Sequence, residues 1–266
     1  MNICYDGVLG TFKYNPLEFE LIKDDSEEYL RYIGNGEKIR LPEGCTSCYK
    51  MFYDCNLSHL DLSEFYTAGV TDMNCMFCNC VKLEELNVCS FDTSSVVNMG
   101  GMFASCAKLT RLDLSSFNTE KVVTMTFMFS YCTGLESIDL FSFDTRNLLY
   151  ANYMFEECCG LEYLDISNFN TINITDMRGM FHGCCNLLYL DMSSFKLNNS
   201  TDLKAIVGNC TSLLSLDISR FDDIIDEWCT GILGLKELKY VDLPRNIKFP
   251  AQMLEYTCKM KNIGVL

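Results

Sequence analysis

The chain is poor in basic side chains, and this shortage limits what it could bind. Its 21 Lys and Arg stand against 36 Asp and Glu, which gives a formal net charge of −15 at pH 7. Nucleic-acid binding requires clustered Lys and Arg that neutralise phosphates, so we expect no nucleic-acid partner. An acidic surface favours solubility and, where the chain has a protein partner, a basic one.

Long apolar stretches and export signals are also lacking. No uncharged apolar run is long enough to cross a bilayer, so we expect no membrane insertion. Residues 1–10 have neither the basic start nor the apolar core of a secretory signal. These absences predict a cytoplasmic protein. The alternative is a surface or secreted protein, exported by a route that the sequence does not reveal.

Catalytic motifs are scarce as well. The chain has two histidines, His59 and His182, and the repeat pattern described below assigns them to different elements. It contains neither a Gly-x-Ser-x-Gly elbow nor a phosphate-binding loop. A Cys–His pair built on Cys184 would lack a third group to orient it, and the register places Cys184 in the core. We therefore expect no enzymatic activity and no cofactor.

What the sequence does contain is one motif that recurs every 25 or 26 residues. Four columns keep this spacing: a Met-Phe pair from Met51-Phe52 to Met180-Phe181, an Asp or Asn from Asp61 to Asp242, a Phe from Phe65 to Phe221, and a Cys from Cys55 to Cys210. Neither half of one motif could bury its apolar face alone, so neighbouring copies must pack together. A fixed period of 20 to 29 residues with Leu-x-x-Leu-x-Leu indicates a leucine-rich-repeat solenoid.

Each copy changes its apolar period halfway. The first half has the spacing of one helix face, as in Met99, Met102, Phe103 and Cys106. In the second half Leu112 and Leu114 alternate with polar residues, as in a strand that is buried on one side. The predicted fold class is therefore an α/β solenoid of leucine-rich-repeat type, with one short strand and one short helix per 25–26-residue repeat.

The motif divides the chain into three predicted parts. Residues 1–44 precede it and alternate apolar with polar residues, which predicts a β-rich N-terminal cap of two to four strands. Residues 45–221 form the repeat solenoid. Residues 222–266 contain the last repeat, with a strand from Lys239 to Leu243, and a helical C-terminal cap whose closing helix has Pro250 in its first turn.

The motif Met-Phe-x-x-Cys-x-x-Leu-x-x-Leu-Asp-Leu-Ser-x-Phe-Asp/Asn-Thr resembles the repeat of BspA-like bacterial surface proteins, a leucine-rich-repeat family. The fullest copies are Met76–Thr93, Met102–Thr119, Met128–Thr145 and Met154–Thr171. The resemblance covers approximately residues 45–243. It implies a right-handed solenoid and a role in binding or adhesion rather than catalysis.

Seventeen cysteines raise the questions of metal binding and of disulfides. Seven of them form the repeat column, where a thiol acts as a small buried hydrophobe. Cys45-x-x-Cys48 with Cys75-x-x-Cys78 imitates the spacing of a zinc ribbon. The register opposes this reading, because it points Cys45 and Cys48 into the core and leaves Cys75 and Cys78 more exposed. We expect core thiols and no metal site.

The candidate binding face follows the predicted strands. Its acidic column and the variable position before each inward leucine supply the candidate residues Arg111, Tyr163, Tyr189, Tyr240, Asp113, Asp139, Asp165, Asp191, Asp217 and Asp242. Each Asp either accepts hydrogen bonds from a Ser hydroxyl or a loop N–H, or helps to dock a Lys/Arg-rich partner. The tyrosines are either rigid contact residues or cross-strand pairs that stabilise an exposed sheet.

Two functions remain in view. The first is a non-enzymatic, intracellular protein-binding module that presents a concave sheet with an acidic and tyrosine-bearing face. The second is a bacterial surface or secreted adhesin, as the resemblance to BspA-like proteins implies. We favour the first because no export signal is seen and because a cysteine-rich core without disulfides suits a reducing compartment.

Overall fold

The computed structural model describes residues 3–5, 12–14, 19–23, 28–34, 39–198, 201–221 and 235–242. These residues contain nine short strands and no helix. The strands are β1 (Ile3–Tyr5), β2 (Phe12–Tyr14), β3 (Phe19–Lys23), β4 (Glu28–Tyr32), β5 (His59–Asp61), β6 (Glu85–Asn87), β7 (Tyr189–Asp191), β8 (Ser215–Asp217) and β9 (Tyr240–Asp242). Among the described residues, no helix has the length and apolar character needed to span a membrane.

Two antiparallel hairpins precede the repeats. β1 pairs with β2, and β3 pairs with β4. The second hairpin packs on the first repeat, where the Tyr32 N–H donates to the Met51 carbonyl at 2.6 Å. The Tyr32 ring also lies 5.2 Å from the Phe52 ring, centroid to centroid. The β3–β4 hairpin therefore covers one end of the core that the repeats share.

The predicted solenoid of one strand and one helix per repeat is wrong. Where a helix was expected, over residues 99–106 and their equivalents, the structure has a run of tight turns, which we call the turn segment. Within it Met99, Gly101, Phe103 and Ser105 donate their N–H groups to carbonyls of the next repeat, at 2.7 to 3.0 Å. Met102, Ala104 and Cys106 donate three positions back, as Ala104 does to the Gly101 carbonyl at 3.0 Å, and the Gly100 N–H donates to Asn98 Oδ1 at 3.0 Å. An α-helix would direct every N–H to the carbonyl four residues earlier.

Backbone angles explain why no helix forms. Each turn segment has two residues with positive φ, four positions apart. The pairs are Lys50 and Asp54, Cys75 and Asn79, Gly101 and Ser105, Phe127 and Tyr131, Tyr153 and Glu157, Gly179 and Gly183, and Ala205 and Asn209. A helix needs a φ near about −63° throughout, so two left-handed residues per repeat interrupt it.

The repeats are joined most continuously through these turn segments. Parallel bridges link Ser47, Asp72, Asn98, Thr124, Tyr150, Asp176 and Asp202, one per repeat. The predicted strands, by contrast, form separate small sheets: β5 pairs with β6, and β7, β8 and β9 pair in that order. The equivalent residues 111–113 and 137–139 are not strands. Strand pairing is therefore interrupted at these residues, and the ladder of bridges that precedes the turn segments runs past the interruption.

The core lies between the strands and the turn segments. It is built from columns of equivalent residues, one from each repeat. Met99, Phe103, Leu112 and Leu114 are all buried, as the sequence pattern predicted. The Phe of each Met-Phe pair stacks on the next from Phe52 to Phe181, with ring centroids 5.3 to 5.9 Å apart. Offset stacking of this kind stabilises aromatic pairs beyond their buried area.

The cysteine column has a role in addition to filling space. From Cys80 to Cys210, each thiol of the column donates to the carbonyl of the stacked Phe one repeat earlier, with Sγ–O distances of 3.0 to 3.2 Å. Burial raises the pKa of the Cys132 and Cys210 thiols to about 12, which keeps them protonated and able to donate. The column thus satisfies carbonyl groups that the turn segments bury.

A column of buried threonines joins neighbouring repeats. These threonines come after the strand position of each repeat in the sequence. Thr67, Thr93, Thr119, Thr145 and Thr171 are buried. Each hydroxyl donates to the carbonyl 25 residues later, at 2.9 to 3.1 Å. From Thr93 to Thr171 it also accepts from the N–H of that same residue, at 2.7 to 2.8 Å. One hydroxyl therefore satisfies both backbone groups of a residue in the next repeat.

Part of the predicted C-terminal cap lies outside the described residues. The structure describes the strand β9 and the residues just before it, from 235. The predicted closing helix, with Pro250 in its first turn, falls on residues that it does not describe, and residues 222–234 are not described either.

Candidate functional site

In each strand, and in the equivalent residues of the other repeats, the central side chain points into the core and the side chains before and after it point to solvent. The predicted binding face consists of these solvent-facing side chains. We call it the strand face, and it contains the predicted Arg111, Tyr163, Tyr189, Tyr240, Asp113, Asp139, Asp165, Asp191, Asp217 and Asp242. In β7, Leu190 is buried whereas Tyr189 and Asp191 are exposed. The same alternation holds in β9 around Val241. Side-chain direction along the strand therefore places the tyrosine and acidic columns side by side on one surface.

The structure brings most of the predicted tyrosines together. Tyr163 forms a parallel bridge with Tyr189, which confirms that the two are neighbours in adjacent repeats. Tyr240 lies one strand further away, because Ser215 stands between Tyr189 and Tyr240 in the β7–β8–β9 register. Tyr163, Tyr189 and Tyr240 are 63%, 51% and 67% exposed. Arg111 is also exposed, two repeats before Tyr163.

The acidic column takes part in local turns. The Oδ1 atoms of Asp61, Asp113, Asp139, Asp165, Asp191 and Asp217 each accept from the backbone N–H two residues later, at 2.8 to 3.0 Å. This is an Asx turn, in which a short polar side chain satisfies a nearby backbone group. The Ser115 and Ser167 N–H groups lower the pKa of Asp113 and Asp165. The hydrogen-bonding role expected for the column is present.

One member of the column shows that the turn does not require a charge. Asn87 occupies the acidic position in β6, and its Oδ1 accepts from the Cys89 N–H at 3.1 Å. Its amide also donates to the Asp61 Oδ1 at 3.0 Å. An uncharged acceptor therefore makes the same turn. In β7, β8 and β9 the carboxylates of Asp191, Asp217 and Asp242 stand on directly paired residues.

Sequence reasoning missed Phe141. Its ring is 86% exposed, the highest value among the exposed large hydrophobic residues of the described chain. It stands two residues after Asp139, in a column whose other members are Ser63, Cys89, Ser115, Ser167, Ser193 and Ser219. Comparing the residues of this column would have shown one aromatic residue among small ones. Phe141 adds an apolar contact beside the acidic column.

The cysteines provide no metal centre in the described part of the chain. Cys45 and Cys48 are buried and Cys75 and Cys78 are half-buried, as the register predicted. None of the fourteen cysteines whose side chains the structure describes forms a disulfide. Burial raises the pKa of Cys45 to about 11, so its thiol stays protonated. Among the described residues, no group of three or more potential metal ligands lies together.

The comparisons with known proteins identify the repeats. No curated protein and no solved structure matches the chain. One family model matches it twice, over residues 46–164 and 135–228, and its description reads "Mycoplasma protein of unknown function, DUF285". The two matches together cover residues 46–228, which is more than half of the chain and contains most of the repeats. The protein is a repeat protein that belongs to the DUF285 family.

Proposed function

We propose that this protein is a non-enzymatic binding module whose strand face captures a basic protein partner. The observation that carries the proposal is the adjacent exposed pair Tyr163 and Tyr189, with exposed Tyr240 two strands beyond Tyr189, beside exposed carboxylates. Tyrosine offers a large, rigid and amphipathic contact at low entropic cost. A surface that combines it with repeated carboxylates is complementary to Lys and Arg side chains, which also pack against aromatic rings.

The charge of the chain supports the same partner class. A net charge of −15 creates a field that attracts cations and speeds encounter with a basic protein. The aromatic residues then determine how long the complex lasts, because buried aromatic anchors contribute most of the binding energy in typical interfaces. We expect the acidic column to act mainly on association and the tyrosines mainly on dissociation.

The test uses the full chain and two labelled peptides of equal length, one rich in Lys and Arg and one rich in Glu. Binding is measured by fluorescence anisotropy, and the rate constants are measured by surface plasmon resonance. We expect the basic peptide alone to bind, with affinity that falls as salt rises, since the Debye length is only about 10 Å at 0.1 M. The combination Tyr163→Ala with Tyr189→Ala weakens binding by about tenfold or more through faster dissociation.

Two controls separate binding from folding. Tyr66→Ala removes an equally exposed tyrosine, 69% accessible, outside the proposed face and leaves binding unchanged. Asp165→Asn with Asp191→Asn keeps an acceptor for each Asx turn, as at Asn87, but removes two charges and slows association. Equal binding of both peptides, or wild-type affinity in the double tyrosine variant with native-like unfolding, would refute the proposal.

A second candidate is a surface or secreted adhesin, which the resemblance to BspA-like proteins supports. The lack of disulfides among the cysteines whose side chains are described favours an intracellular location instead, since exported cysteine-rich proteins usually form disulfides. Fractionation of the source cells, with thiol alkylation before lysis and intact-mass counting, distinguishes the two. Soluble protein with seventeen alkylated thiols supports the intracellular module. Surface or medium protein with paired cysteines supports the adhesin.

A further inference from the structure

A cleft of about 500 Å³ opens on the turn segments, away from the strand face. Its floor is formed by Gly100, Gly101 and Ala104. Cys75 borders it from the repeat before, and Phe127 borders it from the repeat after. Small-molecule sites typically measure about 300–1,000 Å³, so this cleft has the size of a site for a compact organic ligand.

The cleft exists because one repeat lacks side chains that its neighbours carry. The column of Gly101 holds Lys50 and Cys75 before it and Phe127 and Tyr153 after it. The column of Ala104 begins with Tyr53. At Gly101 the chain therefore lacks the aromatic side chain that the next two members of its column carry.

The walls of the cleft fit a planar ring. Phe127 and Tyr153 stack with ring centroids 5.0 Å apart and planes within 4° of parallel. Side chains of this column lean over the next repeat: Tyr153 covers Gly179, and Cys75 Sγ lies 3.0 Å from the point that a Cβ on Gly101 would occupy. One face of the Phe127 ring is thus covered by Tyr153, while Phe127 is still 40% exposed where it borders the cleft. A ring placed there would stack on Phe127 and contact sulfur on its other side.

The polar groups of the cleft select the charge of the ligand. Among the described lining residues, Glu156 is the one that carries a charge. The Ser130 hydroxyl donates to its Oε2 at 2.9 Å, which holds the carboxylate beside the cleft. Hydrogen bonding to Cys75, together with burial, raises the pKa of Cys78, so the Cys78 thiol is neutral and adds no negative charge. A ligand that joins an aromatic ring to a protonated amine matches both the ring slot and the carboxylate.

We infer that the cleft binds a small aromatic amine, with its ring between Cys75 and Phe127 and its ammonium group directed to Glu156. The inference does not depend on the proposed protein-binding face, which lies on the strand side of the repeats. It assigns this ligand class to one location in the stack, because Gly101 is where the column lacks a side chain beside the exposed ring of Phe127.

Isothermal titration of the full chain with phenethylamine tests the inference. Phenylacetate, which reverses the charge, and cyclohexylethylamine, which lacks the aromatic ring, serve as comparison ligands. We expect saturable one-to-one binding of phenethylamine and weaker binding of both others. Phe127→Ala weakens phenethylamine binding about tenfold through loss of the stack. Alanine is compatible with that backbone, since Ala205 occupies the same column at φ 57° against 58° for Phe127.

Three further variants make the result decisive. Ala104→Tyr places an aromatic side chain in the cleft and abolishes binding. Glu156→Gln has the same shape and removes the preference for phenethylamine over neutral phenethyl alcohol. Tyr66→Ala, outside the cleft, retains binding. The inference is overturned by absence of saturable binding, by phenylacetate binding as tightly as phenethylamine, or by unchanged binding in Ala104→Tyr. It is also overturned by an equal loss in Tyr66→Ala, which would indicate non-specific association.

Discussion

The buried threonine column makes the sharpest prediction about what holds the repeats together. Thr119 is fully buried, and its hydroxyl donates to the Asp144 carbonyl at 3.0 Å and accepts from the Asp144 N–H at 2.7 Å. Thr119→Val keeps the side-chain shape but removes both bonds. A buried polar group left without a partner costs about 1–3 kcal/mol. Because Asp144 is half-buried and water reaches part of it, we expect a loss of about 2 kcal/mol for the two groups together.

The assay is urea denaturation followed by circular dichroism, with two matched variants. Thr119→Ser keeps the hydroxyl and should lose much less stability than Thr119→Val. Thr110→Val makes the same chemical change at an exposed threonine and should leave the midpoint nearly unchanged. Hydrogen exchange adds a local measurement, because the Asp144 amide should lose protection in Thr119→Val and keep it in the other two variants.

A specific result would refute this reasoning. If Thr119→Val is as stable as Thr110→Val, the extra apolar burial of valine offsets the lost hydrogen bonds, and the column does not join the repeats energetically. If Thr119→Ser loses as much stability as Thr119→Val, the methyl group of Thr119 matters and the hydroxyl does not.

Two further predictions follow from the turns. Asp113→Ala removes the Asx turn and should destabilise the chain more than Asp113→Asn, in denaturation at pH 7. The Ser115 N–H lowers the pKa of Asp113 in the folded protein, so the carboxylate stabilises the fold at pH values above its unfolded pKa of about 3.9. This stabilisation is lost as the pH falls through the folded pKa. If the free energies of unfolding of wild type and Asp113→Asn differ by the same amount at every pH, the prediction is wrong. Ala205→Gly should stabilise the folded protein by about 0.5–1 kcal/mol, because Ala205 has a φ of 57°. Ala104→Gly should destabilise it, because φ at Ala104 is not positive. Equal changes in melting temperature for the two variants would contradict the backbone assignment.

The sequence pattern predicted which side chains are buried much better than it predicted the backbone between them. Met99, Met102, Phe103 and Cys106 are all buried in the structure. Their spacing predicts one face of a helix, but the turn segment buries the same four positions. Periodicity reports the direction of side chains, and here two different backbones satisfy one periodicity. The helix prediction failed at that step.

Evidence against the helix was present in part. Positions with positive φ carry Gly101, Gly179 and Gly183 in some repeats and Asn79 and Asn209 in others, residues that tolerate this conformation. Phe127, Tyr131 and Tyr153 at equivalent positions hide that signal, because bulky residues seldom adopt positive φ. They adopt positive φ here because their N–H groups donate to carbonyls of the next repeat instead of to carbonyls within a helix.

The candidate site was predictable where it depended on register alone. A repeat of 26 residues places Tyr163 beside Tyr189, and the structure does so. Phe141 and the cleft at Gly101 arise instead where one repeat differs from the others at an equivalent position. The pattern that the repeats share therefore does not predict them. Differences between copies, such as Gly101 against Phe127, therefore carry the information about binding that the shared residues do not.

The acidic column combines a feature that the repeats share, the Asx turn, with one that differs between them, the charge. An Asx turn needs an acceptor, and Asn87 shows that an uncharged amide supplies one. A carboxylate makes the stronger, charge-assisted bond, but carboxylates on paired residues such as Asp191 and Asp217 repel each other. The turn thus accounts for a short polar side chain in each repeat but not for its repeated negative charge, which the proposed basic partner would explain. If the charge serves docking, Asp191→Asn with Asp217→Asn should leave folding stability nearly unchanged and still weaken capture of the basic peptide. If the charge serves only the turns, stability should fall and capture should not.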